Sequence, residues 1–220
     1  MVFRTTKALA LAGILSVAAA GAQAQVLLNE SFDNVAGLSA NGWLMLNRSS
    51  PLGSVATWFQ GDGSILPAMS GATNSYAASN FNAGTTGGSI ADWLITPTFS
   101  TQNSGTVSFW IRGDVAPGFS DYFSYGLSSG GSNTSDFSLS TAAVVTGAWT
   151  QVTMSFTGTG SATLGRLAIV HVGLADIANY VGVDNVAVTA VPEPQAWLLM
   201  GLGLAGIGLV KSRRRAVAAA

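Results

Sequence analysis

Between residues 25 and 190, apolar side chains recur at every second position over several short runs, and no stretch keeps a helical i, i+3, i+4 stripe for three turns. Val107, Phe109 and Ile111 alternate with Ser108, Trp110 and Arg112, so one face is apolar and the other mixed. Thr150, Val152, Met154 and Phe156 alternate with Gln151, Thr153 and Ser155. Leu167, Ile169 and His171 alternate with Ala168, Val170 and Val172, a run apolar on both faces, and residues 180–188 form another β-branched run. Strand side chains point to opposite faces in turn, so a period of two over short segments is the mark of half-buried strands. Residues 82–89, 128–136 and 157–163 are rich in Gly, Ser, Thr and Asn and read as breakers between them. Short strands joined by such turns predict an all-β, antiparallel sandwich. No internal repeat or long linker divides this stretch.

Charge narrows the class further. Residues 25–190 hold Arg48, Arg112 and Arg166 against Glu30 and eight aspartates, a net charge of −6, with no lysine. No basic patch is available to release phosphate counterions, which argues against nucleic acid as a partner. The chain has no cysteine, and so no disulfide, thiol nucleophile or thiolate metal site.

The body also carries an ordered series of short motifs. Asn29-Glu30-Ser31-Phe32-Asp33, Gly42-Trp43, Ser75-Tyr76-Ala77-Ala78-Ser79 and Asp92-Trp93-Leu94-Ile95-Thr96-Pro97 follow one another. Val107-Ser108-Phe109-Trp110, Trp149-Thr150-Gln151-Val152 and Val183-Asp184-Asn185-Val186 complete it. The series resembles the choice-of-anchor J domains, relatives of the cleaved-adhesin modules of bacterial surface proteins. That resemblance implies a jelly-roll sandwich and a secreted domain carried on a surface anchor. The chain departs from the family at Asn185, where a second acid is common.

Both ends look like addresses. Residues 1–24 have a cationic start at Arg4 and Lys7, an apolar centre over 8–20 and the triplet Ala22-Gln23-Ala24. This is the layout of a signal peptide for the secretion machinery, cleaved after Ala24 so that the mature chain starts at Gln25. The alternative is an N-terminal anchor helix that stays attached. At the other end, Val191-Pro192-Glu193-Pro194 precede an apolar run over 196–210 and a basic tail over 211–215 ending in Arg213, Arg214 and Arg215. As a helix, that run spans about 22 Å, short of the roughly 30 Å apolar core of a bilayer. The arginines stop transfer and stay inside, leaving the body outside. Pro192 and Pro194 keep the preceding chain extended, with Glu193 presented outside the membrane. Residues 191–220 resemble the PEP-CTERM sorting signal. The resemblance implies processing by an exosortase, a transient membrane stay, and a body released or attached at the cell surface or in a biofilm matrix. A plain single-pass anchor is the alternative.

Catalytic patterns fail on context. Gly201-Leu202-Gly203-Leu204-Ala205-Gly206 matches a dinucleotide fingerprint but follows no strand. Gly126-Leu127-Ser128-Ser129-Gly130 matches a nucleophile elbow but leads into a loop, and His171, the sole histidine, sits mid-strand. A triad of Ser128, His171 and Asp136 or Asp176 would have to be forced. Scattered acids argue against a glycosidase, and one histidine without cysteine against zinc. Glu30 and Asp33 near the first strand, with Asp184 and Asn185 in the last, are hard oxygen ligands suited to calcium. The resemblance implies a structural calcium there; turn and strand-edge hydrogen bonds are the alternative role. Trp58 and Trp110 are the expected glycan contacts, although strand aromatics commonly fill cores. The expected function is a non-enzymatic surface adhesion or interaction module. A carbohydrate-binding module for exopolysaccharide is the alternative, and a secreted hydrolase a remote one.

Overall fold

The alternating runs fold as strands, most of them longer than the alternation alone marks. A computed structural model describes residues 24–191 together with Gly203. The signal-peptide region before Ala24, the sorting residues Pro192, Glu193, Pro194, Arg213, Arg214 and Arg215, and the 196–210 run lie outside the described residues. Among the described residues no helix is long and apolar enough to cross a membrane. The chain divides into two compact units, one of which is Gln25–Ala190.

In chain order the strands of that unit are β1 (Gln25–Glu30), β2 (Leu44–Asn47), β3 (Ser50–Leu52), β4 (Phe59–Gln60), β5 (Ala77–Asn80), β6 (Gly84–Ile95) and β7 (Phe99–Ser100). They continue as β8 (Gly105–Gly113), β9 (Tyr122–Ser128), β10 (Ser138–Leu139), β11 (Ala143–Val144), β12 (Thr150–Phe156), β13 (Leu164–Leu174) and β14 (Tyr180–Ala190). One sheet runs β12-β8-β14-β5-β4, with β1 on β14. The other runs β10-β9-β13-β6-β2, with β11, β3 and β7 paired at its margins. Every pairing is antiparallel, and the two sheets form a jelly-roll sandwich. The glycine-rich stretch 82–89 corrects the sequence reading. Most of it belongs to β6, whose pairing with β3 shifts register while Gly87 adopts φ +76°. Glycine there bends a strand instead of ending it.

The core lies between the sheets. Val107, Phe109 and Ile111 meet Leu167 and Ile169 there, and Phe109 stands edge-on to Phe123 at 6.3 Å. Each such side chain contributes about 1.5–3 kcal/mol on full burial. The run 167–172 is apolar on both faces because Ala168 and Val170 pack outward with Trp93 and Ile95, with Phe137 laid over Trp93 at 5.9 Å. On β14, Asn185 takes φ +50° where the pairing with β8 shifts register. The extra residue returns Val186 to the core and leaves Asp184 on the outer face.

Two consequences of β14 matter for function. Its last residue, Ala190, pairs with Gln25, so both ends of the unit lie at one pole. Its first residue, Tyr180, lies at the other pole, eleven residues or about 35 Å away.

Candidate functional site

The mixed face of β8 becomes an outward platform. Trp110 lies between Gln151 of β12 and Asp184 of β14, and Arg112 lies opposite Gly182. Trp149, just before β12, brings its ring edge to Gly182 and so stands beside Arg112. Trp110, Trp149 and Arg112 are half-buried, while Gln151 and Thr153 are exposed. Trp149 is fixed twice: its Nε1 donates to the Pro67 carbonyl at 3.0 Å, and its ring meets Tyr76 edge-on at 6.0 Å. Tyr76 belongs to a cluster with Leu66 and Tyr180 that seats the 61–75 loop on this sheet.

Electrostatics distinguish the two charged groups on the platform. Asp184 is buried, and its carboxylate accepts from the Met69 and Ser70 amides at 2.9 and 3.2 Å and from its neighbour Asn185 at 2.7 Å. Burial pushes its carboxyl above the usual range, and nearby Asp33 adds to the shift. Arg112, by contrast, keeps a buried Nε without a partner among the described residues. The one ion pair among the described residues is His171 with Asp121. Two indole rings, a free guanidinium and a carboxamide can stack against a sugar ring and bond its hydroxyl or carboxylate groups.

The other expected site residues fall elsewhere. Trp58 is 3% exposed in the main core, out of reach of any glycan, because its neighbour Phe59 takes the outward position on β4. Of the expected metal ligands, Asp33 and Asp184 approach one another. Glu30 accepts instead from the Phe32 amide, and Asn185 bonds Ser70. No group of three or more His, Cys, Asp or Glu able to hold a metal occurs among the described residues. The carboxylates of Asp33 and Asp184 both accept from N–H or O–H donors.

Ser128 donates to the Gly131 carbonyl, Asp136 caps Asn133 and Asp176 accepts from Gly87, so none joins His171. The histidine's partners are Ser79 at Nδ1 (3.0 Å) and Asp121 at Nε2 (3.1 Å). That hydroxyl–imidazole–carboxylate line is sealed, with Ser79 and His171 fully buried and Asp121 5% exposed. Arg112 and Gln151 carry no expectation from the sequence, and Trp149 is there one of five tryptophans of the body that could supply a stacking platform. The alternation places Arg112 beside Trp110, but only the β8–β12 register brings Trp149 and Gln151 to them.

Comparison with known proteins agrees with this architecture. Residues 24–173 match the carbohydrate binding domain family, and the chain belongs to it. Residues 190–215 match the PEP-CTERM protein-sorting motif, so this is an exported protein sorted through that signal. The K1 and K3 cleaved adhesin domains of the Lys-gingipain of Porphyromonas gingivalis share the fold, with TM-scores of 0.56 and 0.55. Each is 22% identical, and each match covers 76% of this chain and 99% of the other. The K2 domain of Lys-gingipain matches at 0.54 and 16% identity, over the same shares. No curated protein matches the chain.

Proposed function

We propose that the protein is an exported, non-catalytic adhesion module that works by binding polysaccharide on the outer face of the β8 sheet. The observation that carries the proposal is the half-buried pair Trp110 and Trp149 flanking an unpaired Arg112. A large aromatic surface left partly in water beside an unmatched cation is costly for the fold alone, and it suits a ligand with both an apolar ring face and an acidic group. The preferred ligand class is therefore an acidic exopolysaccharide. Membership of the carbohydrate binding domain family supports the reading, and the adhesin-like fold is compatible with it. The paired ends Gln25 and Ala190 put both chain exits at one pole, with Val191 exposed where the sorting motif begins. Exosortase processing there leaves the sheet face free to act at the cell surface.

Titration of the full chain in detergent with uronic-acid oligosaccharides, followed by tryptophan fluorescence, tests the proposal. Binding that perturbs the emission and is lost in Trp110→Ala and weakened in Arg112→Gln is the expected result. Oligosaccharide binding that survives both substitutions places the ligand elsewhere.

A further inference from the structure

A separate concavity of about 550 Å³ opens at the pole opposite Gln25 and Ala190. Its size lies within the range of small-molecule sites. Four distant segments wall it: the loop after β3, the 3₁₀ turn Phe81–Ala83 with the start of β6, the 116–119 turn, and the β13–β14 connection.

Hydrogen bonds lock these pieces together. Asn179 donates through Nδ2 to the backbone and carboxylate of Asp114, and its own carbonyl accepts from the Phe81 amide. The Ser120 amide donates to the Ile177 carbonyl, and Gly87 donates to both oxygens of Asp176. Ala116-Pro117-Gly118-Phe119 closes with a Phe119 N–H to Ala116 carbonyl bond and Gly118 at φ +87°, the pattern of a type II turn. The small side chains of Ala175 and Ala178 line it from below, packed in turn against Ala83 and Ile90. Gly53 is required at its edge, since a Cβ there would strike the Asn82 carbonyl.

The rim is unusual for a loop end. Phe81 and Phe119 are each 45% exposed, held out by a 3₁₀ turn and by the type II turn. Asn82, Thr85 and Thr86 lie in the same wall, with Asp176 as its only charged side chain. We infer that this cavity is a second saccharide site, distinct from the β8 face and selective for neutral sugars. The phenylalanine rings supply stacking surfaces for the C–H faces of a pyranose, and the amide and hydroxyl groups supply partners for its hydroxyls. With Asp176 present and no cation in the wall, an acidic sugar is repelled, the opposite preference to that of Arg112. β14 holds the cavity about 35 Å from the pole where Gln25 pairs with Ala190.

The test uses the full chain in detergent on an array of neutral and uronic-acid oligosaccharides, followed by calorimetric titration with the strongest neutral binder. Phe81→Ala and Phe119→Ala are both surface changes, and an unchanged melting curve confirms that each variant folds. The expected result is a tenfold or greater loss of neutral-sugar affinity in each, with uronic-acid binding unaltered and with neutral binding unaltered in Trp110→Ala. The inference is overturned if no neutral sugar binds, if the Phe variants bind it normally, or if Trp110→Ala abolishes it. Neutral-sugar binding by a parent protein that binds no uronic-acid oligosaccharide would instead strike only the β8-face reading.

Discussion

Asp92 lies fully buried at the inner end of β6, and the hydrogen bonds around it require one more proton than its neighbours supply. Its Oδ2 faces the Ser79 hydroxyl at 2.8 Å, and the same hydroxyl faces His171 Nδ1 at 3.0 Å. Thr57 donates to Oδ1 at 3.3 Å, and Asp121 occupies His171 Nε2 from the other side. A hydroxyl has one hydrogen, so it serves either the carboxylate or the imidazole. Both contacts are satisfied only when a further proton sits on Asp92 or on His171 Nδ1. Burial is the main cause that pushes the Asp92 carboxyl up from 3.8 to about 6, opposed by Ser79, His171 and Thr57. An acid whose folded pKa is raised binds more protons folded than unfolded. Its contribution is therefore fully present below pH 3.8 and is lost as pH rises through about 6. The interval corresponds to about 3 kcal/mol. In Asp92→Asn the amide donates to Ser79, the hydroxyl turns to His171 Nδ1, and no extra proton is needed. Urea unfolding of both proteins between pH 4 and 7.5 measures the effect. The stability difference should shift in favour of the Asn variant by up to about 3 kcal/mol as pH rises across that window. A difference that stays flat over this range refutes the proton count.

Three further perturbations follow from the same packing. Asp121→Ala strands three donors, His171 Nε2 and the amides of Asn179 and Tyr180, and should cost about 3–5 kcal/mol in urea unfolding. Trp58→Ala empties a core position and should cost about 3–5 kcal/mol, whereas the half-exposed Trp110→Ala should cost about 1 kcal/mol or less, a contrast read from paired melting curves. Ser128→Ala removes one bond to the Gly131 carbonyl, costs about 1 kcal/mol, and leaves any esterase signal of the purified protein unchanged.

Much of the fold was legible because strand periodicity is local. The alternation at 107–111, 150–156 and 167–172 marks the centres of β8, β12 and β13, and the doubly apolar run identified a strand covered on its outer side as well. The first strand does pair with the last. What the sequence hid was decided by distant partners. Trp58, an expected glycan contact, is enclosed by the facing sheet, and the 61–75 loop brings to Asp184 two amides that its local sequence does not announce. His171 sits mid-strand as the alternation places it, but Ser79, Asp92 and Asp121 come to it from three other strands or strand starts, separations no local pattern encodes. The exposed Phe81 and Phe119 left a faint trace, an aromatic set directly in turn sequence.

The account depends most on the β8 face recognising polysaccharide. Native electrophoresis of the full chain in detergent, through gels cast with and without the exopolysaccharide of the producing cells, tests this most directly. Retardation of the parent protein that disappears in Trp110→Ala is the predicted result. Equal migration of the parent in both gels, or equal retardation of the variant, contradicts it.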